Sequence, residues 1–203
     1  MSEDIKSKIK KSFEESISVK NAVIEQKAYE ILIHAGDVIA QSIKEGGKLM
    51  ICGNGGSAAD AQHLAAEFLI RLTSDVNRQG IPAISLAQDT STLTACINDY
   101  GPDEIFKRVL STLSRKGDVL LVISTSGNSS NIIEALKFAK SEGIYSLGFL
   151  GGDGGDALEF CNASFIVPSK VTARIQESHI TAGHAMLQYI EDSLLKTKYL
   201  NKT

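Results

Sequence analysis

The chain has 203 residues, a net charge of −3 and an apolar fraction of 43%. That length and composition suit one α/β domain with its own core. The charge excludes a general affinity for nucleic acid, and no run of about 18 apolar residues marks a membrane span. The N-terminal MSEDIKSKIKKSFEES is charged and carries no signal-type apolar segment. Cys52, Cys96 and Cys161 are scattered and odd in number, which fits reduced, buried thiols of the cytoplasm better than disulfides or a zinc knuckle.

Residues 1–46 read as all-helical. Ile5, Ile9, Phe13 and Ile17 recur every four residues as an apolar stripe, and a second helix is predicted over about 21–45, stopped by Gly46-Gly47. This helical pair precedes the first strand and presents extra surface, which favours a contact with another subunit over packing within the domain. Residues 48–52 form a short buried strand, 53–57 a Gly-rich turn, and Ser57 the N-cap of a helix over 58–71. Residues 72–80 are polar and loop-like. A second strand follows over 81–87, a short helix over 90–97, a dense turn at 98–102 and a helix over 104–114. The run 118–123 is a clean buried strand, followed by a hydroxyl-rich loop and a helix over 131–142. A strand over 144–150, a flexible glycine loop, a short helix over 156–161, a strand over 163–167 and a last helix from 172 to about 198 complete the chain. Strands alternating with helices imply a parallel sheet covered on both faces, with ligands at the carboxyl ends of its strands.

Three stretches carry chemistry. The first is CGNGGSAADAQHLAAEF, a strand, Gly-rich loop and helix start whose backbone N–H groups suit an anion, phosphate above all. The loop read alone is also compatible with a tight βα turn. A dinucleotide site is disfavoured because no acidic residue ends the second strand. On the same helix His63 and Glu67 share a face, as a solvated ion pair or as a pair able to bind metal or move protons. The second stretch is Ser124-Thr125-Ser126-Gly127-Asn128-Ser129. It holds more hydroxyls than one helix cap requires and reads as a second phosphate cradle. The third is the start of the last helix. Gln176 and His184 are eight residues apart on one broad face, about 12 Å between Cα atoms in a straight helix. His179 faces elsewhere and reads as a packed core histidine.

Taken in order, CGNGGSAADAQHLAAEF, Asn98-Asp99, ISTSGNS and TARIQESH with a His eight residues after the Gln resemble the sugar isomerase (SIS) domain family over essentially the whole chain. Within that family they resemble the phosphoheptose isomerases. The resemblance implies a five-stranded doubly wound parallel sheet between helices, an N-terminal helical pair, and a homotetramer with sites near subunit interfaces. It implies substrate contacts at Asn54, Gly55, Gly56, Ser57, Glu67, Asn98, Asp99, Ser124, Thr125, Ser126, Ser129 and Gln176. It also implies one zinc ion per subunit on His63, Glu67, Gln176 and His184, with Glu67 and His184 as the acid–base pair. Ala58-Ala59 stand where some members carry polar residues, so those side chains are not needed.

The reaction so implied converts D-sedoheptulose 7-phosphate to D-glycero-D-manno-heptose 7-phosphate through an enediol, the first step toward nucleotide-activated heptoses. Two other functions share parts of the resemblance. One is a non-catalytic tetrameric adaptor for a replication initiator, which lacks the Glu and the final His that stand here at 67 and 184. The other is an isomerase of a different phosphosugar. Glu67 and His184 are assigned twice, as ligands and as proton carriers, and a carboxylate on zinc is a weaker base.

Overall fold

Five short apolar runs pair into one parallel sheet in the computed structural model, which describes residues 3–87 and 89–201. Positions 1, 2, 88, 202 and 203 of the single-domain reading lie outside the described residues. The strands are β1 (Leu49–Gly53), β2 (Ala83–Ser85), β3 (Val119–Ser124), β4 (Tyr145–Gly151) and β5 (Ala163–Val167), in the order β2-β1-β3-β4-β5. Every residue of β1 and of β3 is buried, as a parallel sheet with helices on both faces demands. Successive side chains point to opposite faces. Ile51, Leu121 and Phe149 therefore enter one core, and Met50, Leu120 and Val122 enter the other.

Among the described residues seven α-helices cover the sheet: α1 (Glu3–Glu25), α2 (Glu30–Lys44), α3 (Gly56–Leu69), α4 (Thr90–Tyr100), α5 (Ile105–Leu113), α6 (Ser130–Ser141) and α7 (Thr172–Lys196). Leu32 and Ile39 of α2, Leu64 and Phe68 of α3, and Met186 and Ile190 of α7 fill the first core. Phe106 and Leu110 of α5 and Ile132 and Leu136 of α6 fill the second. At the amino ends of the strands the buried Asp118 carboxylate accepts from Lys48 Nζ at 2.5 Å, Lys48 N at 2.9 Å and Arg115 N at 2.7 Å, tying the starts of β1 and β3 together.

The architecture and the strand count agree with the sequence reading; several boundaries do not. The first helix runs on to Glu25, and the chain turns at residues 26–29, where Lys27 adopts φ +54°. No Gly or Pro marks this turn, so apolar periodicity sets the break near residue 21, several residues too early. The second strand shrinks to Ala83–Ser85, because only this stretch pairs with β1. Asn98 and Asp99 belong to the last turn of α4 rather than to a turn. That helix is capped by Asp89, whose carboxylate accepts from Thr92 N at 2.7 Å. The glycine loop after β4 is held in place: Ala157 N donates to Gly127 O at 2.8 Å and Asp156 N to Asn128 Oδ1 at 2.9 Å.

His179 of α7 is the core histidine its position promised. Its Nε2–H donates to the Leu150 carbonyl at 3.0 Å, and the Phe149 and Phe165 rings flank it. Burial pushes this imidazole down from its ordinary 6.5 to about 4, against the opposing pull of the Leu150 carbonyl. An unfolded chain takes up this proton as pH falls through about 6.5, whereas the folded chain does so only near 4. Between those values acid favours unfolding, at a total cost of about 3 kcal/mol; above them the group adds no pH dependence. Urea denaturation of His179→Gln against the parent should show the variant losing less stability between neutral pH and pH 4.

Candidate active site

Two helices begin where the sheet changes direction. From β1 the chain goes outward to β2, and it then returns to place β3 on the other side of β1. The crevice between β1 and β3 is thus the topological switch point, the usual ligand site in open α/β sheets. Helix α3 leaves β1 toward one face and α6 leaves β3 toward the other. Neither N-terminus is closed by a side chain. Gly55, at φ +56°, caps α3 without a side-chain bond, and Ser129 caps α6 likewise. Both leave backbone N–H groups pointing at the crevice, where an anion is favoured.

Residues on the two loops meet there. Asn54 and Asn131 exchange amide hydrogen bonds of 2.9 and 3.1 Å, joining the first cradle to the first turn of α6. Ser124 and Ser126 spend their hydroxyls on the loop itself, accepting from Gly127 N at 3.1 Å and Asn128 N at 3.2 Å. Among the described residues, Thr125 and Ser129 show no such side-chain bond. Thr125 and Ser126 also line a cleft of about 620 Å³ with Asp153, Ser169 and Lys170. Gln176 lays its side-chain amide against Gly56, so closely that a Cβ at that position would collide with it. Ser57 is not the N-cap; it lies inside the first turn of α3 and is buried. Position 55 takes the cap because a positive φ there is open to glycine.

Three of the residues expected to carry acid–base or metal chemistry lie further along α3 and on α7. His63 Nε2 lies 2.8 Å from His184 Nε2 and 3.7 Å from Glu67 Oε1. The approach of α7 to α3 depends on Gly183, where an added Cβ would sit 2.6 Å from Leu64 Cδ2. Leu64 follows His63 and Gly183 precedes His184, so the tight crossing brings the two imidazoles together edge to face, at 69° between ring planes. At 2.8 Å the two nitrogens share one proton, or both aim lone pairs at a third group. Glu67 Oε2 and Asp60 Oδ2 are buried without hydrogen-bond partners. Burial holds the Asp60 carboxyl above the usual range, while the nearby His63 and His184 imidazoles pull it back. Among the described residues no three His, Cys, Asp or Glu side chains close into a metal-holding group.

Not every sequence-predicted residue joins this cluster. Asn98 donates to Asp99 Oδ1 at 2.7 Å, and Asp99 lines a separate cleft of about 460 Å³ with Tyr100 and Arg108, beside the edge strand β2. Sequence reasoning passed over Asp60, Asn131 and Gly183. Of these, Gly183 had a legible signal, since a glycine inside a long helix marks a close approach.

The fold and site together define a class: an α/β protein with two helix N-termini open to an anion at a sheet switch point, and a carboxylate and two imidazoles beside them. Comparison with known proteins narrows this. The SIS domain family model matches residues 12–151. The chain is 48% identical to the phosphoheptose isomerase of Aquifex aeolicus over 185 residues, 91% of this chain and 95% of that one. Its fold matches the phosphoheptose isomerase structure from Neisseria gonorrhoeae with a TM-score of 0.85 at 40% identity, covering 93% of this chain and 99% of that one. The Francisella tularensis structure matches at 0.84 and 34% identity, over 92% and 97%. The chain belongs to the SIS domain family and, within it, to the phosphoheptose isomerases.

The crossing at Gly183 can be tested directly. Gly183→Val should cost about 1–3 kcal/mol by overpacking against Leu64, read as a lower urea midpoint with an unchanged slope.

Proposed function

We propose that this chain isomerises D-sedoheptulose 7-phosphate to D-glycero-D-manno-heptose 7-phosphate, in the cytoplasm, as the entry to nucleotide-activated heptose synthesis. The observation that carries the reading is the meeting of Glu67, His63 and His184 at the α3–α7 crossing, beside two open helix N-termini. A non-catalytic adaptor has no use for that cluster.

The 7-phosphate would sit at the residue 124–129 loop and the start of α6, with Asn54, Gly55, Gly56, Ser57 and Gln176 along the sugar. No bond to phosphorus changes. Its binding energy instead holds the reacting carbons still. Glu67 would take the proton from C1 of the ketose, and the enediol would be reprotonated at C2. His184 would donate to and accept from the oxygens as the carbonyl moves. Glu67 suits this work because its side chain is only 22% exposed and one of its oxygens has no hydrogen-bond partner. Asn98 and Asp99 would reach a sugar only if their cleft faced a neighbouring subunit's crevice.

The same residues fit a zinc ion. His63 and His184, whose Nε2 atoms lie 2.8 Å apart, would each give it one imidazole nitrogen. Glu67 and Gln176 would complete the set, and such an ion would polarise the carbonyl and hydroxyl oxygens of the sugar. A homotetramer is supported by α1, where Ile5, Ile9, Phe13 and Ile17 are 46–70% exposed along one stripe. Arg174 of α7 fastens that helix by donating to the Ser12 carbonyl.

Glu67→Gln should still bind the sugar phosphate in calorimetry yet lose turnover and exchange of the C1 proton with solvent by about 10²–10⁴-fold. Normal turnover in this variant would remove Glu67 as the base. Elemental analysis of the purified protein should find one zinc per subunit, with the content lost in His63→Ala and in His184→Ala.

A further inference from the structure

The loop between α3 and β2 sends one cationic side chain completely out of solvent. The Arg78 side chain is 0% exposed, and its partner Glu191 on α7 is 4% exposed. The guanidinium uses its whole fork. Nε donates to Glu191 Oε2, Nη1 to the Phe68 and Gln79 carbonyls at 3.0 Å each, and Nη2 to the Glu67 carbonyl at 3.0 Å. Desolvation offsets much of the attraction in a buried ion pair, so net stabilisation is a weak reason for this arrangement. Its geometry is more informative.

Glu67 lies in the last turn of α3, where carbonyls lack intrahelical donors. Arg78 supplies the donor for the Glu67 carbonyl and sets a cation at the negative end of the helix. The head of Glu67 is not anchored in the same way. Oε2 has no partner, and Oε1 is 3.7 Å from His63 Nε2, beyond hydrogen-bond length. The carboxylate is therefore placed from its stem. Glu191 stands seven residues, two turns, beyond His184 on α7. A single guanidinium thus binds the backbone of Glu67 and the helix that carries His184.

We propose that Arg78 is a positioning residue for the isomerase site: by holding the Glu67 carbonyl and Glu191 at once, it sets the distance between the Glu67 carboxylate and the His184 imidazole. This rests on the acid–base reading given above. Arg78→Lys keeps the charge and the reach to Glu191, but one ammonium cannot span the acceptors that the planar fork spans. In folded Arg78→Lys, kcat for sedoheptulose 7-phosphate should fall about tenfold while KM stays within about twofold, since the phosphate grip lies elsewhere.

Asp118→Asn weakens a buried ion pair at the opposite end of the strands and serves as the control. It should lower the thermal midpoint and keep kcat. Unchanged kcat in Arg78→Lys, or an equal loss in Asp118→Asn, overturns the inference. If Arg78→Lys does not fold, Glu191→Met decides, because it removes the acceptor from Nε while filling a similar volume and leaves Arg78 its three carbonyls. A reduced kcat at constant KM upholds the inference, and parental kcat overturns it. Parent protein that fails to convert the substrate would instead remove the acid–base reading.

Discussion

Helix α7 can lie on helix α3 at Leu64 because position 183 carries no side chain. The functional geometry follows from this contact. The residues flanking it in sequence, His63 and His184, are forced into each other's path, and Glu67 stands one turn along the same face of α3. Were the helices a methyl group further apart, the imidazoles would belong to two separate surfaces. Close packing makes the arrangement discrete: a buried Leu against a bare backbone has one good position.

The crossing lies beside a second fixed feature, the reversal of strand order between β1 and β3. Parallel strands point all their carboxyl ends one way, and right-handed crossovers put successive helices on opposite faces once the order reverses. The starts of α3 and α6 consequently flank one crevice, and the Asn54–Asn131 amide pair ties them there. Helix α3 offers different groups at its two ends. Its N-terminus offers backbone donors to an anion, and its middle and last turns offer titratable side chains.

Six buried side-chain atoms among the described residues lack a hydrogen-bond partner, and two of them belong to α3. Asp118 meets three donors and Arg78 meets four acceptors, both far from bulk water. Asp60 Oδ2 and Glu67 Oε2 meet none. Buried polar atoms are normally paired, and carboxylate oxygens left without partners beside two imidazoles mark where a proton, a donor or a cation is to be received.

The residues alone were enough to read a parallel α/β sheet and two candidate anion cradles, whereas His63, Glu67, Gln176 and His184 came together as one set only through the family resemblance. Buried strands are continuous apolar runs, and Gly and Ser clusters punctuate helix starts; these signals are local. The break at residues 26–29 carried no such signal, and Ser57 looked like a cap because propensity cannot see that Gly55 takes the positive φ. Asp60 was legible as an acidic residue but not as one with a buried, unpartnered oxygen. Arg78 and Glu191 are 113 positions apart, and nothing in a polar loop says that its arginine turns inward. Local pattern determined which side chains were present and on which element. Only tertiary packing decided which of them meet, because distances between α3, its following loop and α7 are set by side-chain volume and backbone approach, quantities that no spacing along the chain records.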